Sequence, residues 1–235
     1  MIPLRDENPT QTTPWVTRAL VAINVTVFVY QTTLLVSRGD QVYVGFVQGL
    51  ALRPDFLLSP TLWASMPVPA PLTIFTSMFV HAGLWHLLGN MIYLWIFGDN
   101  VEDAMGHLRF LAFYLLCGLA AALTQVMLSL GSDTPMVGAS GAIAGILGAY
   151  LVLHPGARVL TLVFLVIFIR IMYLPAIVLL GIWFALQIIS AVSGGPGVAW
   201  YAHIGGFVAG IILVGAFVTG KRPRRRRMSV INGGL

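Results

Sequence analysis

The chain is short of charge. Only 9% of its 235 residues are Asp, Glu, Lys or Arg, against 58% that are hydrophobic. Soluble domains carry about 25% charged residues, so this sequence cannot clothe itself for water and takes the bilayer as its solvent. It is equally short of cysteine. Cys117 alone, inside an apolar run, excludes an internal disulfide. There is no internal repeat of the kind that builds solenoids or paired transporter halves. The first 14 residues lack the pattern of a cleaved signal peptide: they hold Asp6, Glu7 and three prolines, and no small-residue cleavage site follows the first apolar run. That run is expected to stay as an anchor.

What remains reads as an all-α, six-helix membrane bundle at roughly 20 apolar residues per span. The first span is expected at 15–36. Residues 37–71 are too polar to cross and apolar enough to lie on a surface as interfacial helical pieces. In 72–98 the helix is expected to begin near Gly83, with 72–82 dipping into the interface, and to end in the acidic turn DNVED at 99–103. Further spans follow at 108–130, 137–153, 175–193 and 200–219; His154-Pro155-Gly156 is a strong stop. Residues 158–173 are interrupted by Arg158 and Arg170, too closely spaced to frame a span, and read as a surface hairpin or interfacial segment. The organisation expected is a cytoplasmic tail over 1–14, a membrane domain over 15–219 and a basic cytoplasmic tail over 220–235. The run KRPRRRR at 221–227 marks the cytoplasmic face and suits anionic lipid. With no aromatic-rich soluble domain beside it, it does not point to nucleic acid. Only Arg38 and Arg53 of the 13 basic residues then fall outside.

This topology makes a statement about depth. Spans two, four and six all run inward, and their first turns hold His86 and Asn90, Ser140, and His203. At 1.5 Å per residue the four lie within roughly 10 Å of one another in depth. Polar groups inside a membrane are costly and face a cavity or each other. Each has a bland reading. Ser140 begins a small-residue stripe, Gly141, Gly145 and Ala149, fit for close helix packing. His203 precedes a second such face, Gly206 and Gly210, and lone membrane histidines often bond neighbouring helices. His86 and Asn90, four apart on one face, could be interhelical glue. The chemical reading joins them. A serine in a first helical turn sits beside free N–H groups and the positive dipole end, where an oxyanion is stabilised. The two glycine faces could pack together and bring His203 to Ser140 as its base. None of the eight acidic residues lies in a span, so a Ser–His dyad is the economical arrangement.

Rival classes find less support. His81, His86 and His203 could be imagined as metal ligands, but HExxH is absent and no intramembrane carboxylate could serve as base. The missing aspartates also exclude an aspartyl intramembrane protease. A transporter would place polar groups at the midplane between two repeats. An inactive protein that binds membrane helices would not need both Ser140 and His203.

The motifs HAGLWHLLGN (81–90), FGDNVEDAMGHLRFLAFYLLCG (97–118), GASGAIAG (138–145) and AHIGGFVAG (202–210), in this order and spacing, resemble the rhomboid intramembrane serine proteases over residues 70–215. The resemblance implies a six-span protease of the minimal bacterial type, without metal or cofactor, that cuts single-span membrane proteins near the outer face of a bacterial inner membrane. It implies Ser140 as nucleophile, His203 as base, and His86 with Asn90 in the oxyanion hole beside the Ser140 N–H. Gly138, Gly141, Gly206 and Gly210 belong to the structural motifs. Glu102 and Gly106 belong to a structural cytoplasmic turn, and His81 to a structural loop position. Two positions depart from the pattern. Some family members carry an aromatic where this chain has Ala144, and a Trp-Arg pair where Trp63 is followed by Ala64. Both departures leave open what steadies the imidazole and the first loop.

Overall fold

Glycine and proline punctuation sets the helices of this computed structural model, which describes residues 1–65, 67–165, 168–194 and 197–218. Helix α1 (Trp15–Arg38) opens after Pro14. The first loop holds α2 (Asp40–Leu50) and α3 (Pro54–Leu57). Helix α4 (Thr73–Thr76) leads, through an 82° bend, into α5 (Leu84–Met105). Then come α6 (His107–Leu128), α7 (Ser140–Leu153), α8 (Ala176–Val192) and α9 (Trp200–Phe217). Three of these, α1, α6 and α9, are long and apolar enough to cross a membrane, and α5 qualifies when taken with the bent segment before it. Helices α7 and α8 are shorter but apolar. The chain is a polytopic membrane bundle, and its helix ends fall close to those expected. The helix start just after Gly83 and the short helical pieces of the first loop are as the sequence predicts. The tail at 220–235 and the end of span six at 219 lie outside the described residues.

Helix α7 is the centre of the bundle: every residue from Ala142 to Tyr150 is buried. At ~1.5 Å per residue its 14 residues span about 21 Å, less than the ~30 Å hydrocarbon thickness. A central helix of that length cannot reach both surfaces, so one end must lie at depth. Its contact with α9 is made backbone to backbone. A Cβ on Gly206 would strike the Gly141 carbonyl oxygen, and one on Gly210 the Gly145 carbonyl oxygen. The small-residue faces of the two helices interlock as their spacing predicts. Gly145 also meets Cys117 of α6, which leaves that thiol buried in the seam.

At the opposite end from Ser140, Glu102 acts as a clasp. It is fully buried, and its carboxylate accepts from Val16 N (2.9 Å), Thr17 N (2.7 Å) and the Thr17 hydroxyl (2.7 Å), so it caps the first turn of α1. His107 closes on the same carboxylate. Gly106, at φ +81°, makes the turn from α5 to α6.

A three-stranded sheet adds one strand that the sequence reading left out. Residues 158–173, expected as a surface hairpin or interfacial segment, form a hairpin of β2 (Arg158–Leu165) and β3 (Phe168–Pro175). The first strand, β1 (Ile2–Asp6), pairs antiparallel with β2, Ile2 opposite Leu162 and Asp6 opposite Val159. Residues 1–14 are therefore fastened down along much of their length. Asp6 accepts from the Tyr150 hydroxyl (2.6 Å) and from Asn100 Nδ2 (3.0 Å), while Asp103 accepts from Gln11 N, Thr12 N and the Thr12 hydroxyl.

Burial pushes the Asp6 carboxyl up to about 6, with Asp99's charge adding to the rise and the Tyr150 hydrogen bond opposing it. A carboxyl raised in the docked state binds its proton more tightly there than when free. Its contribution is therefore greatest below about pH 4 and is lost as pH climbs to about 6. Asp6→Asn keeps an acceptor for Tyr150 without the charge. Thermal midpoints of the parent and Asp6→Asn should diverge in favour of the variant between pH 4 and pH 7. A difference that stays constant over that range would count against Asp6 as the titrating group.

Candidate active site

The Ser140 end of α7 is held in place by the backbone leading to it. Leu52 N donates to Met136 O (3.0 Å) and Met136 N to Leu52 O (2.7 Å), tying this approach to the first loop. Gly138 N then donates to Ser77 O (2.8 Å). Gly138 takes φ +117°, a conformation a side-chain-bearing residue rarely adopts, and it delivers the chain into the helix. Ser140 is the first residue of α7, and Ala139 before it provides no side-chain cap. The first-turn amides thus lack intrahelical acceptors and point their N–H groups toward the serine end.

Because α9 lies against α7 through the glycine seam, His203 is carried to Ser140. His203 Nε2 stands 2.8 Å from Ser140 Oγ. His203 is only 9% exposed, and its Nδ1 lies 2.8 Å from Gln187 Oε1 on α8. Gln187 Nε2 in turn donates to the Trp183 carbonyl (2.9 Å). The Trp183 ring lies 5.9 Å from the imidazole at 33°, and Trp200 meets it edge-on at 6.1 Å. These partners answer the Ala144 departure: the aromatic support comes from α8 and from the start of α9.

His86 and Asn90 reach the same place from α5. A Cβ on Gly138 would fall 2.7 Å from His86 Nε2 and 3.7 Å from Asn90 Nδ2, so both side chains face the strip two residues before Ser140. His86 Nδ1 accepts from Ala82 N (3.4 Å), which leaves the proton on Nε2, the nitrogen turned toward Gly138. Asn90 Nδ2 gives one N–H to the His86 carbonyl (2.9 Å) and has a second to offer. His81 packs edge-on against His86 at 5.1 Å, fully buried, with its backbone held by Gln31. A cavity of ≈ 30 Å³ opens beside Ser140, walled by Ser77, Met78, Gly118, Met136, Gly138 and Ala142.

Of the residues singled out from the sequence, Ser140, His203, His86 and Asn90 converge here. Glu102 and Gly106 lie at the other end. Gly138, Gly141, Gly206 and Gly210 set the backbone approach. Sequence reasoning missed Gln187 and Trp183. The signal was present, since Gln187 is a lone amide inside an apolar run, AIVLLGIWFALQIISAV. The sequence reading expects a third partner only among acids. Among the described residues, no three His, Cys, Asp or Glu side chains gather as metal ligands.

The Rhomboid domain family model matches residues 69–220, which contain Ser140, His203, Gln187, His86 and Asn90. The chain is 31% identical to Rhomboid protein 1, mitochondrial, of Saccharomyces cerevisiae over 173 residues, 68% of this chain and 46% of that protein. It is 31% identical to RHOMBOID-like protein 1 of Arabidopsis thaliana over 160 residues, 64% of this chain and 35% of that one. It is 40% identical to Rhomboid protease GluP of Bacillus subtilis over 78 residues, 33% of this chain and 15% of that protein. The matched part is thus less than half the length of each of these relatives. A family match over most of the chain, on a bundle with this arrangement of helices, places the protein in the rhomboid family.

Proposed function

We propose that the protein is an intramembrane serine endopeptidase that cleaves single-span membrane proteins. The observation that carries this reading is the 2.8 Å approach of His203 Nε2 to Ser140 Oγ at the first turn of a buried helix. In the reaction, His203 takes the proton of Ser140 as its oxygen attacks the scissile carbonyl. The negative charge that develops on the carbonyl oxygen is met by the Ser140 N–H, His86 Nε2–H and the free N–H of Asn90. His203 then gives the proton to the leaving amine. Water, activated by the same imidazole, releases the acyl group from Ser140.

The substrate helix enters from the side, next to α8, and unwinds to present its carbonyl. The small cavity beside Ser140 suits an alanine-sized side chain at the cut. The basic tail argues for cytoplasmic termini, with the site toward the outer face of a bacterial inner membrane. In that arrangement 15–219 forms the catalytic membrane domain, between cytoplasmic tails at 1–14 and 220–235. The six-span count and the minimal bacterial form belong to the same proposal.

The test is cleavage of single-span substrates by the purified protein in liposomes, with products mapped by mass spectrometry. The expected cut is after a small residue, unaffected by chelators, and bulky residues at that position should slow it. Failure to cut any member of a diverse panel, or loss of cutting with chelator, would overturn the reading. Asn90→Ala should lower turnover by about 10- to 1000-fold if its amide binds the oxyanion. An unchanged rate removes Asn90 from the hole.

A further inference from the structure

We propose that Gln187 is the positioning residue of this site: its amide fixes His203 in the one tautomer that can accept the Ser140 proton, and the working unit is Ser140–His203–Gln187. The proposal rests on the Ser–His reading above and adds a third member to it.

The argument is one of hydrogen-bond polarity. A neutral imidazole has two tautomers, and only the form protonated on Nδ1 leaves Nε2 free to act on Ser140. The side chain facing Nδ1 decides between them. Gln187 can present either an oxygen or an NH₂ there, and the neighbouring carbonyl settles which. Its Nε2 lies 2.9 Å from the Trp183 carbonyl, which can only accept. Turning the amide over would set two acceptors against each other there. Oε1 is thus committed to His203 Nδ1 at 2.8 Å, and Nδ1 must be the donor. The chain of bonds runs in one sense, from Ser140 O–H to His203 Nε2, from His203 Nδ1–H to Gln187 Oε1, and from Gln187 N–H to Trp183 C=O.

Position and burial support the same role. Trp183 and Gln187 are four apart on α8 and so lie on one face of that helix. One supplies the keying carbonyl and an indole wall at 5.9 Å from the ring; the other supplies the acceptor. Gln187 is 6% exposed and His203 9%, so no water competes freely for Nδ1. A carboxylate here would bring a charge into a low-dielectric seam. The amide gives the same orientation without that cost. On α7, Ala144 is fully buried and offers no group to the imidazole, so its polar partner comes from α8.

The test uses Gln187→Met, which keeps length and volume but has no strong acceptor, and Gln187→Glu, which keeps an acceptor. Two readouts are taken on full-length protein in liposomes. In substrate cleavage, Gln187→Met should lower kcat about 100-fold or more with KM within threefold, because misdirecting a catalytic imidazole removes a transition-state interaction. Gln187→Glu should recover most of that loss. The second readout is the ¹⁵N resonance of the histidine ring nitrogens, with His203 identified by its absence in His203→Ala. The parent should show a protonated Nδ1 and a bare Nε2, and Gln187→Met should lose that preference. This second readout needs no activity, so a parent that cuts nothing sinks the protease reading while the tautomer still judges Gln187. Parent-like kcat in Gln187→Met, or an unchanged tautomer in it, would overturn the proposal. Equal losses in both variants with the parent tautomer retained would reduce Gln187 to a packing residue.

Discussion

Ser140→Ala is expected to abolish cleavage, with a fall in kcat of at least about 10⁴-fold. The magnitude follows from what the substitution removes. Without Oγ there is no acyl intermediate, and the site can offer only its N–H donors and a bound water. Removing the nucleophile of a serine protease costs up to ~10⁶ in kcat, with a residual ~10³–10⁴ over water from oxyanion donors and binding. His203→Ala should be nearly as severe, and the double variant no worse than either, because the two act through one proton transfer. The cavity beside Ser140 loses only an oxygen, so Ser140→Ala should still bind a single-span substrate with parent affinity. Turnover and binding measured on the same preparations decide the matter. A Ser140→Ala protein that still cuts would mean a different nucleophile and would return Ser140 to helix packing.

The helices and the site were legible in the sequence to different depths. Membrane hydropathy, the acidic turn DNVED at the end of α5, and His154-Pro155-Gly156 after α7 are local signals, and they located the helix ends to within a few residues. The glycine faces were legible because packing between membrane helices depends on small residues at a fixed spacing. Strand β1 was not. Nothing within IPLRD signals a partner more than 150 residues away, and the strand exists only because β2 and the Asp6 contacts hold it. Gln187 escaped for a different reason. An orienting partner for histidine was sought among charges, yet in a membrane a neutral acceptor does that work at lower desolvation cost. The first loop is fastened by contacts of its own. Where some relatives carry a Trp-Arg pair, this chain fastens the loop through contacts scattered along it. Trp63 Nε1 donates to the Phe56 carbonyl (3.0 Å), and Arg53 pairs with Asp55 (2.7 Å) while lying 4.2 Å over the Phe56 ring.

The seam between α7 and α9 yields the second large expected effect. Gly210→Val should lower kcat/KM by about 100-fold or more, although Gly210 lies two turns from His203. A Cβ at Gly210 would strike the Gly145 carbonyl oxygen, and the atoms next in line, Gly145 C and Cα at 2.7 and 2.8 Å, are also backbone. Backbone in the middle of a buried helix cannot swing aside as a side chain would, so the helices themselves must separate. An outward shift of about 1 Å is enough to break a 2.8 Å hydrogen bond, and a misplacement of that size costs ~10²-fold in rate. Overpacking should also destabilise the bundle by ~1–3 kcal/mol, which a lower thermal midpoint would register. Gly215→Ala is the control. It lies on the same helix, a Cβ there meets nothing within 4 Å, and alanine is the better helix former. It should leave both activity and thermal midpoint at or slightly above the parent's. If Gly210→Val cleaved at the parent rate, the catalytic geometry would not depend on the glycine seam. If Gly215→Ala failed alongside it, α9 would be sensitive to any substitution and the seam would have no special part. The expected contrast, loss at Gly210 and none at Gly215, would mean that the pairing of Ser140 with His203 is set by how closely two backbones approach.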